Sequence, residues 1–98
     1  MEISSSLVIE TLRSRMDVLR RDFHVRNIGI FGSVARGEQV APSDIDVLVE
    51  FSTPISFFKF IRLENFLSDL LHRKVDLVTK NALKPQLREE ILDDLVSV

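Results

Sequence analysis

Apolar and polar residues alternate along this chain in two rhythms. Ile9, Leu12, Met16, Leu19 and Phe23 recur at steps of three and four, the stripe of an amphipathic helix, and Arg13, Arg15, Asp17, Arg20 and Arg21 lie mostly off it. A short strand is predicted from Asn27 to Phe31. It stops at Gly32, where Ser33 to Arg36 opens a short helix that Gly37 can close, because glycine accepts positive φ without strain. Glu38 to Pro42 reads as a loop. Asp44 to Phe51 has the alternation and β-branched content of a strand, ended by Ser52, Thr53 and Pro54. Ser56 is a good N-cap for a helix from Phe57 to about His72. The apolar residues of that helix, among them Phe57, Phe60, Ile61, Leu63, Phe66 and Leu70, span an arc wider than one core face needs. This predicts either burial on two sides or contact with a partner. Lys74 to Val78 is a third strand, and Pro85 to Val96 a last helix with Leu87, Ile91 and Leu95 on one face. Three strands interleaved with helices predict a small α+β fold with layered helices and sheet, a single domain over residues 1–98.

Composition narrows the functional classes. Of 98 residues, 45 % are hydrophobic and 29 % charged, which is ordinary for a globular chain and argues against disorder. Thirteen Lys and Arg against fifteen Asp and Glu leave a net charge of −2, so the basic excess of a dedicated nucleic-acid or membrane-surface binder is missing. With no cysteine there is neither a disulfide nor a thiolate metal site. Met1 to Ser6 does not resemble a signal peptide, and no apolar run approaches the roughly 20 residues needed to cross a bilayer. A soluble, cytoplasmic protein is expected.

Three features carry candidate chemistry. Asp44 and Asp46 stand two apart in a predicted strand, so both point to one face about 7 Å apart, while Ile45, Val47 and Val49 take the other. At an effective dielectric of 20 the two charges repel by roughly 2–3 kcal/mol, a cost that a hard cation such as Mg²⁺ would reverse. The plainer alternative is that Asp44 caps the loop and Asp46 is simply exposed. Asp76 interrupts a short apolar strand in which Val75 and Leu77 share the other face. If its strand neighbours the first, three carboxylates converge, enough to hold two metal ions about 3.5–4 Å apart for in-line phosphoryl or nucleotidyl transfer; otherwise Asp76 pairs with Lys74 or Arg73. Gly32-Ser33 marks a strand-to-helix junction that offers backbone N–H groups to a phosphate, or only a helix cap, with Arg36 nearby as added positive charge or as a solvated helix end. Gly32 and Gly37 have P-loop spacing, but Glu38 and Gln39 replace its lysine and hydroxyl. Leu48 and Val49 likewise break an EF-hand reading of Asp44 and Asp46. His24 and His72 have no catalytic motif around them and read as surface or helix-end residues.

Gly32-Ser33-Val-Ala-Arg36-Gly37, followed after ten residues from Ser33 by Asp44-Ile-Asp46 with Ser43 before it and then by the strand bearing Asp76, resembles the DNA polymerase beta-like nucleotidyltransferases, and within them the minimal nucleotidyltransferase (MNT) group. The resemblance implies the nucleotidyltransferase fold, a small mixed sheet flanked by helices. It implies transfer of AMP from ATP to a hydroxyl, with two Mg²⁺ ions held by Asp44, Asp46 and Asp76. Asp76 would also accept the hydroxyl proton, and Gly32, Ser33, Ser43 and Arg36 would hold the nucleotide. It further implies an antitoxin whose partner, and acceptor, is a HEPN-type ribonuclease toxin. Two alternatives stand beside it: an interaction module that blocks its partner by binding alone, and transfer to a small hydroxyl compound. A homo-oligomer is left open.

Overall fold

The structure, a computed structural model, describes residues 4–37 and 44–98. The expected loop from Glu38 to Pro42 and the candidate residue Ser43 lie outside the described residues. The element order is α1 (Ser5–Arg13), α2 (Met16–Phe23), β1 (Val25–Phe31), α3 (Gly32–Ala35), β2 (Ile45–Phe51), α4 (Phe57–Leu71), β3 (Val75–Thr79), a 3-10 turn (Lys80–Ala82), α5 (Pro85–Asp94) and β4 (Val96–Ser97).

The predicted first helix is two helices. Ser4 caps α1 by accepting from the Leu7 N–H, and the stripe then continues through a break at Ser14 and Arg15. There the Ser14 hydroxyl donates to the Thr11 carbonyl, and Arg15 takes φ −114, ψ 12, off the helical basin. His24 and His72 close α2 and α4 in the left-handed conformation, at φ 56 and 54, so the helix-end reading of both histidines holds. Ser56 caps α4 through the Lys59 N–H, as expected.

The four strands run in the order β3-β2-β1-β4. β1 pairs antiparallel with both β2 and β4, and β2 pairs parallel with β3, so the sheet is mixed. The sequence predicted three strands; β4 is the addition, a two-residue pairing of Gly29 with Ser97 and Ile30 with Val96. Gly29 makes this approach feasible, since a Cβ there would lie 2.8 Å from both Leu95 Cδ1 and the Val96 carbonyl. Alternation sends Ile28, Ile30, Ile45, Val47, Val49, Val75 and Leu77 to one face, where α1, α2 and α4 cover them with Val8, Leu12, Leu19, Leu63 and Leu67. Phe23 and Phe66 add a ring contact with centroids 5.5 Å apart. The second face carries Asp46 and Asp76, and α5 lies over part of it.

Two outward-pointing N–H groups of β3 do not face water. Val75 donates to the Ser68 hydroxyl and Leu77 to a Glu64 carboxylate oxygen, each at 3.1 Å, both from α4. The wide arc of α4 is not buried on two sides. Leu63, Leu67 and Leu71 are buried, whereas Phe57 and Phe58 are 72 % and 79 % exposed and touch edge to face. The last helix also differs from expectation: α5 has no buried residue, and Leu87 is 46 % exposed. A contrast in stability follows. Leu67→Ala should cost about 2–5 kcal/mol by opening a core cavity, and Phe58→Ala no more than about 0.5 kcal/mol. Urea unfolding followed by far-ultraviolet circular dichroism checks both, the chain having no Trp or Tyr to report by fluorescence.

Candidate active site

One row of the sheet gathers the predicted chemistry. Phe31, the last residue of β1, pairs with Asp46 of β2, and Asp46 pairs with Asp76 of β3. The two aspartates are therefore cross-strand neighbours, on strands spaced about 4.8 Å apart. Asp44 precedes β2 on the same face. Its carboxylate reaches Lys74 Nζ at 3.8 Å, so the lysine considered as a partner for Asp76 turns to Asp44 instead. The chain leaves β1 at Phe31 and turns through Gly32 at φ 76, a left-handed conformation that suits glycine. Gly32 lies so close to the Asp46 carboxylate that any Cβ would collide with it. The turn and the central carboxylate thus occupy one tight junction.

Electrostatics report the same convergence. Asp46 titrates above its ordinary value, first because it is partly buried, then because Asp76 and Asp44 repel its charge; Arg36 opposes the shift. Three carboxylates and one guanidinium therefore share a field. Among the described residues no three His, Cys, Asp or Glu side chains are drawn into a metal-sized cluster. The donor set nevertheless suits a hard cation: all three groups are carboxylates on one face, and the raised Asp46 is a charge that a cation would relieve.

Ser33 is the second residue of α3, whose N-cap is Phe31, so Ser33 is not the cap and no side chain caps this helix. Ser33 directly follows Gly32, the residue that approaches Asp46. Arg36 ends α3 and pairs with Asp94 at the end of α5. Sequence reasoning missed Asp94: nothing local distinguishes it from Asp93, and its partner is 58 residues away. A cleft of about 300 Å³ continues along the same face beneath α5, lined by Gly29, Leu48, Glu50, Lys80, Leu92 and Leu95, among others. No helix among the described residues is long and apolar enough to cross a membrane.

Known proteins agree with this arrangement. The protein adenylyltransferase MntA of Thermococcus cleftensis is 48 % identical over 80 residues, which cover 82 % of this chain and 81 % of that one. A solved structure provisionally described as a minimal nucleotidyltransferase superimposes with a TM-score of 0.74 at 36 % identity, over 92 % of this chain and 95 % of the other. A crystal structure of a toxin–antitoxin with AMP-PNP gives 0.70 at 26 % identity, over 86 % and 69 %. The family model described as a nucleotidyltransferase domain matches residues 12–98. A match of that extent, on a sheet whose neighbouring strands β2 and β3 set Asp46 beside Asp76, makes this chain a member of the nucleotidyltransferase domain family of enzymes.

Proposed function

We propose that the chain transfers AMP from ATP to a hydroxyl of a partner protein, using Asp44, Asp46 and Asp76 as its acidic centre. The observation that carries this reading is the register of Asp46 opposite Asp76, with the Gly32 turn closed against Asp46. The triphosphate sits at the turn, held by backbone N–H groups, Ser33 and Arg36, with Ser43 joining from the segment before Asp44. Asp44, Asp46 and Asp76 hold Mg²⁺, which supplies neutralisation of phosphate charge. The acceptor oxygen attacks the α-phosphorus, an O–P bond forms as the bond to pyrophosphate breaks, and Asp76 takes the hydroxyl proton. Positioning and charge neutralisation supply most of the acceleration.

The names of similar proteins support the acceptor and the setting. One relative is an adenylyltransferase, and one structural neighbour is a toxin–antitoxin complex with an ATP analogue. We therefore place the protein in the cytoplasm as an antitoxin, with a toxin as its acceptor; the HEPN class follows from the sequence resemblance. This chain has no tyrosine, so AMP found on a tyrosine must be on another protein.

The test is to incubate the protein with Mg²⁺, ATP labelled at the α-phosphate and the product of the neighbouring gene. Label should appear on the neighbour with wild type and not with an Asp44→Ala/Asp46→Ala variant. A stable complex with no label would replace this reading with neutralisation by binding alone. Label on a small hydroxyl compound would replace it with small-molecule transfer.

A further inference from the structure

We propose that the groove between α2 and α4 is a homodimer interface: a second copy of this chain packs its own α2–α4 groove against it across a two-fold axis, with Arg15 of each copy pairing with Asp69 of the other. The groove has a volume of about 400 Å³ and is lined by Arg15, Val18, Phe66, Asp69 and Leu70. Helical spacing builds it. Phe66, Asp69 and Leu70 stand at i, i+3 and i+4 on α4, and Arg15 and Val18 three apart at the start of α2, so each helix presents one stripe. Val18, Phe66 and Leu70 pack against the core yet stay only partly buried, while Arg15 and Asp69 are exposed.

Charge identifies the occupant. Among the described residues neither the Arg15 nor the Asp69 side chain forms an ion pair or a hydrogen bond, although both line the same groove. Any surface that covers the groove removes both charges from water, and each then needs an opposite partner. A covering surface of a single sign leaves one of them unpaired. A second copy meets both needs at once. An isologous two-fold contact sets residue i of one copy against residue j of the other, and j against i, so one axis makes two Arg15–Asp69 pairs. Val18, Phe66 and Leu70 then close on their own equivalents as the apolar centre of the contact. The groove also lies in the helical layer, on the opposite side of the sheet from Asp46 and Asp76. Two copies joined there keep both carboxylate faces turned outward, so the interface is compatible with the nucleotide reading and does not depend on it.

Sedimentation velocity on the full chain, across a concentration series, tests this. Wild type should sediment as a dimer. Arg15→Asp and Asp69→Arg each set like charges together twice in one interface, so each should weaken the dimer about 100-fold or more. Both side chains are exposed, so circular dichroism should show both variants folded. Mixing the two variants should restore a dimer, because one copy of each makes two opposite-charge contacts again. The double variant Arg15→Asp/Asp69→Arg should dimerise alone for the same reason. A monomeric wild type, single variants that dimerise like wild type, or a mixture that stays monomeric would each overturn the proposal. If a monomeric wild type binds the product of the neighbouring gene and Arg15→Asp abolishes that binding, the proposal falls and the groove belongs to that protein instead.

Discussion

Asp46→Asn is expected to remove the proposed AMP transfer and at the same time to stabilise the fold at neutral pH. The two effects share one cause. Asp46 is partly buried among like charges, and its folded pKa is raised above the ordinary 3.8. Above the folded pKa both folded and unfolded chains carry the ionised group, and only the folded one is penalised. As pH falls through the folded pKa the native state takes up a proton and the penalty fades; it is gone below the unfolded value. The melting temperature of Asp46→Asn should therefore exceed that of wild type at pH 7, and the difference should shrink steadily toward about pH 4. Mg²⁺ with nucleotide should reverse the order at neutral pH by stabilising wild type alone. Transfer should fall by about 10³-fold or more if, as proposed, the Asp46 charge organises the reacting phosphate. Melting curves across pH, with and without Mg²⁺ and AMP-PNP, read one half; labelled ATP reads the other. Equal melting temperatures at pH 7 would show that the carboxylates do not strain one another.

The second large effect is Gly32→Ala, and Gly37→Ala is its control. Both glycines hold positive φ, 76 and 74, so alanine at either incurs a similar conformational cost of about 1–2 kcal/mol. At Gly32 the new methyl runs into the Asp46 carboxylate, whereas at Gly37 nothing among the described residues lies within 4 Å of a Cβ. The difference between the two variants therefore isolates the junction between turn and carboxylate. Gly32→Ala should lose about 10²-fold or more in transfer, since a misplacement of about 1 Å suffices for that. Gly37→Ala should retain most activity while losing comparable backbone stability. Equal activity losses would mean that the Gly32–Asp46 contact has no functional weight.

The second of these contacts could not be read from the sequence, although both residues could. Asp46 and Asp76 were legible as candidates because each interrupts an apolar alternation whose other face is plainly core. Their pairing was not, because the parallel register of β2 with β3 depends on a connection through α4 that local pattern does not fix. Gly32 was legible as a turn, and its approach to Asp46 was not. The break between α1 and α2 escaped because the apolar stripe runs on through Ser14 and Arg15, and a hydroxyl–carbonyl bond rather than a glycine or proline interrupts the helix. β4 escaped because two residues carry no period. Asp94 escaped because an ion pair across 58 residues leaves no local trace.

The hydrogen bonds from β3 to Ser68 and Glu64 bear on how this sheet meets other chains. An outer strand with bare N–H groups is a template for a foreign strand, the first step of aggregation or of assembly by strand addition. On the β3 side helix side chains already occupy that template at Val75 and Leu77, and a carboxylate stands where an incoming carbonyl would have to dock. Growth of the sheet is thereby steered to the opposite margin, beyond Val96 and Ser97. A peptide meant to extend this sheet should be designed against β4, and Glu64 should be left untouched in any variant made for solubility.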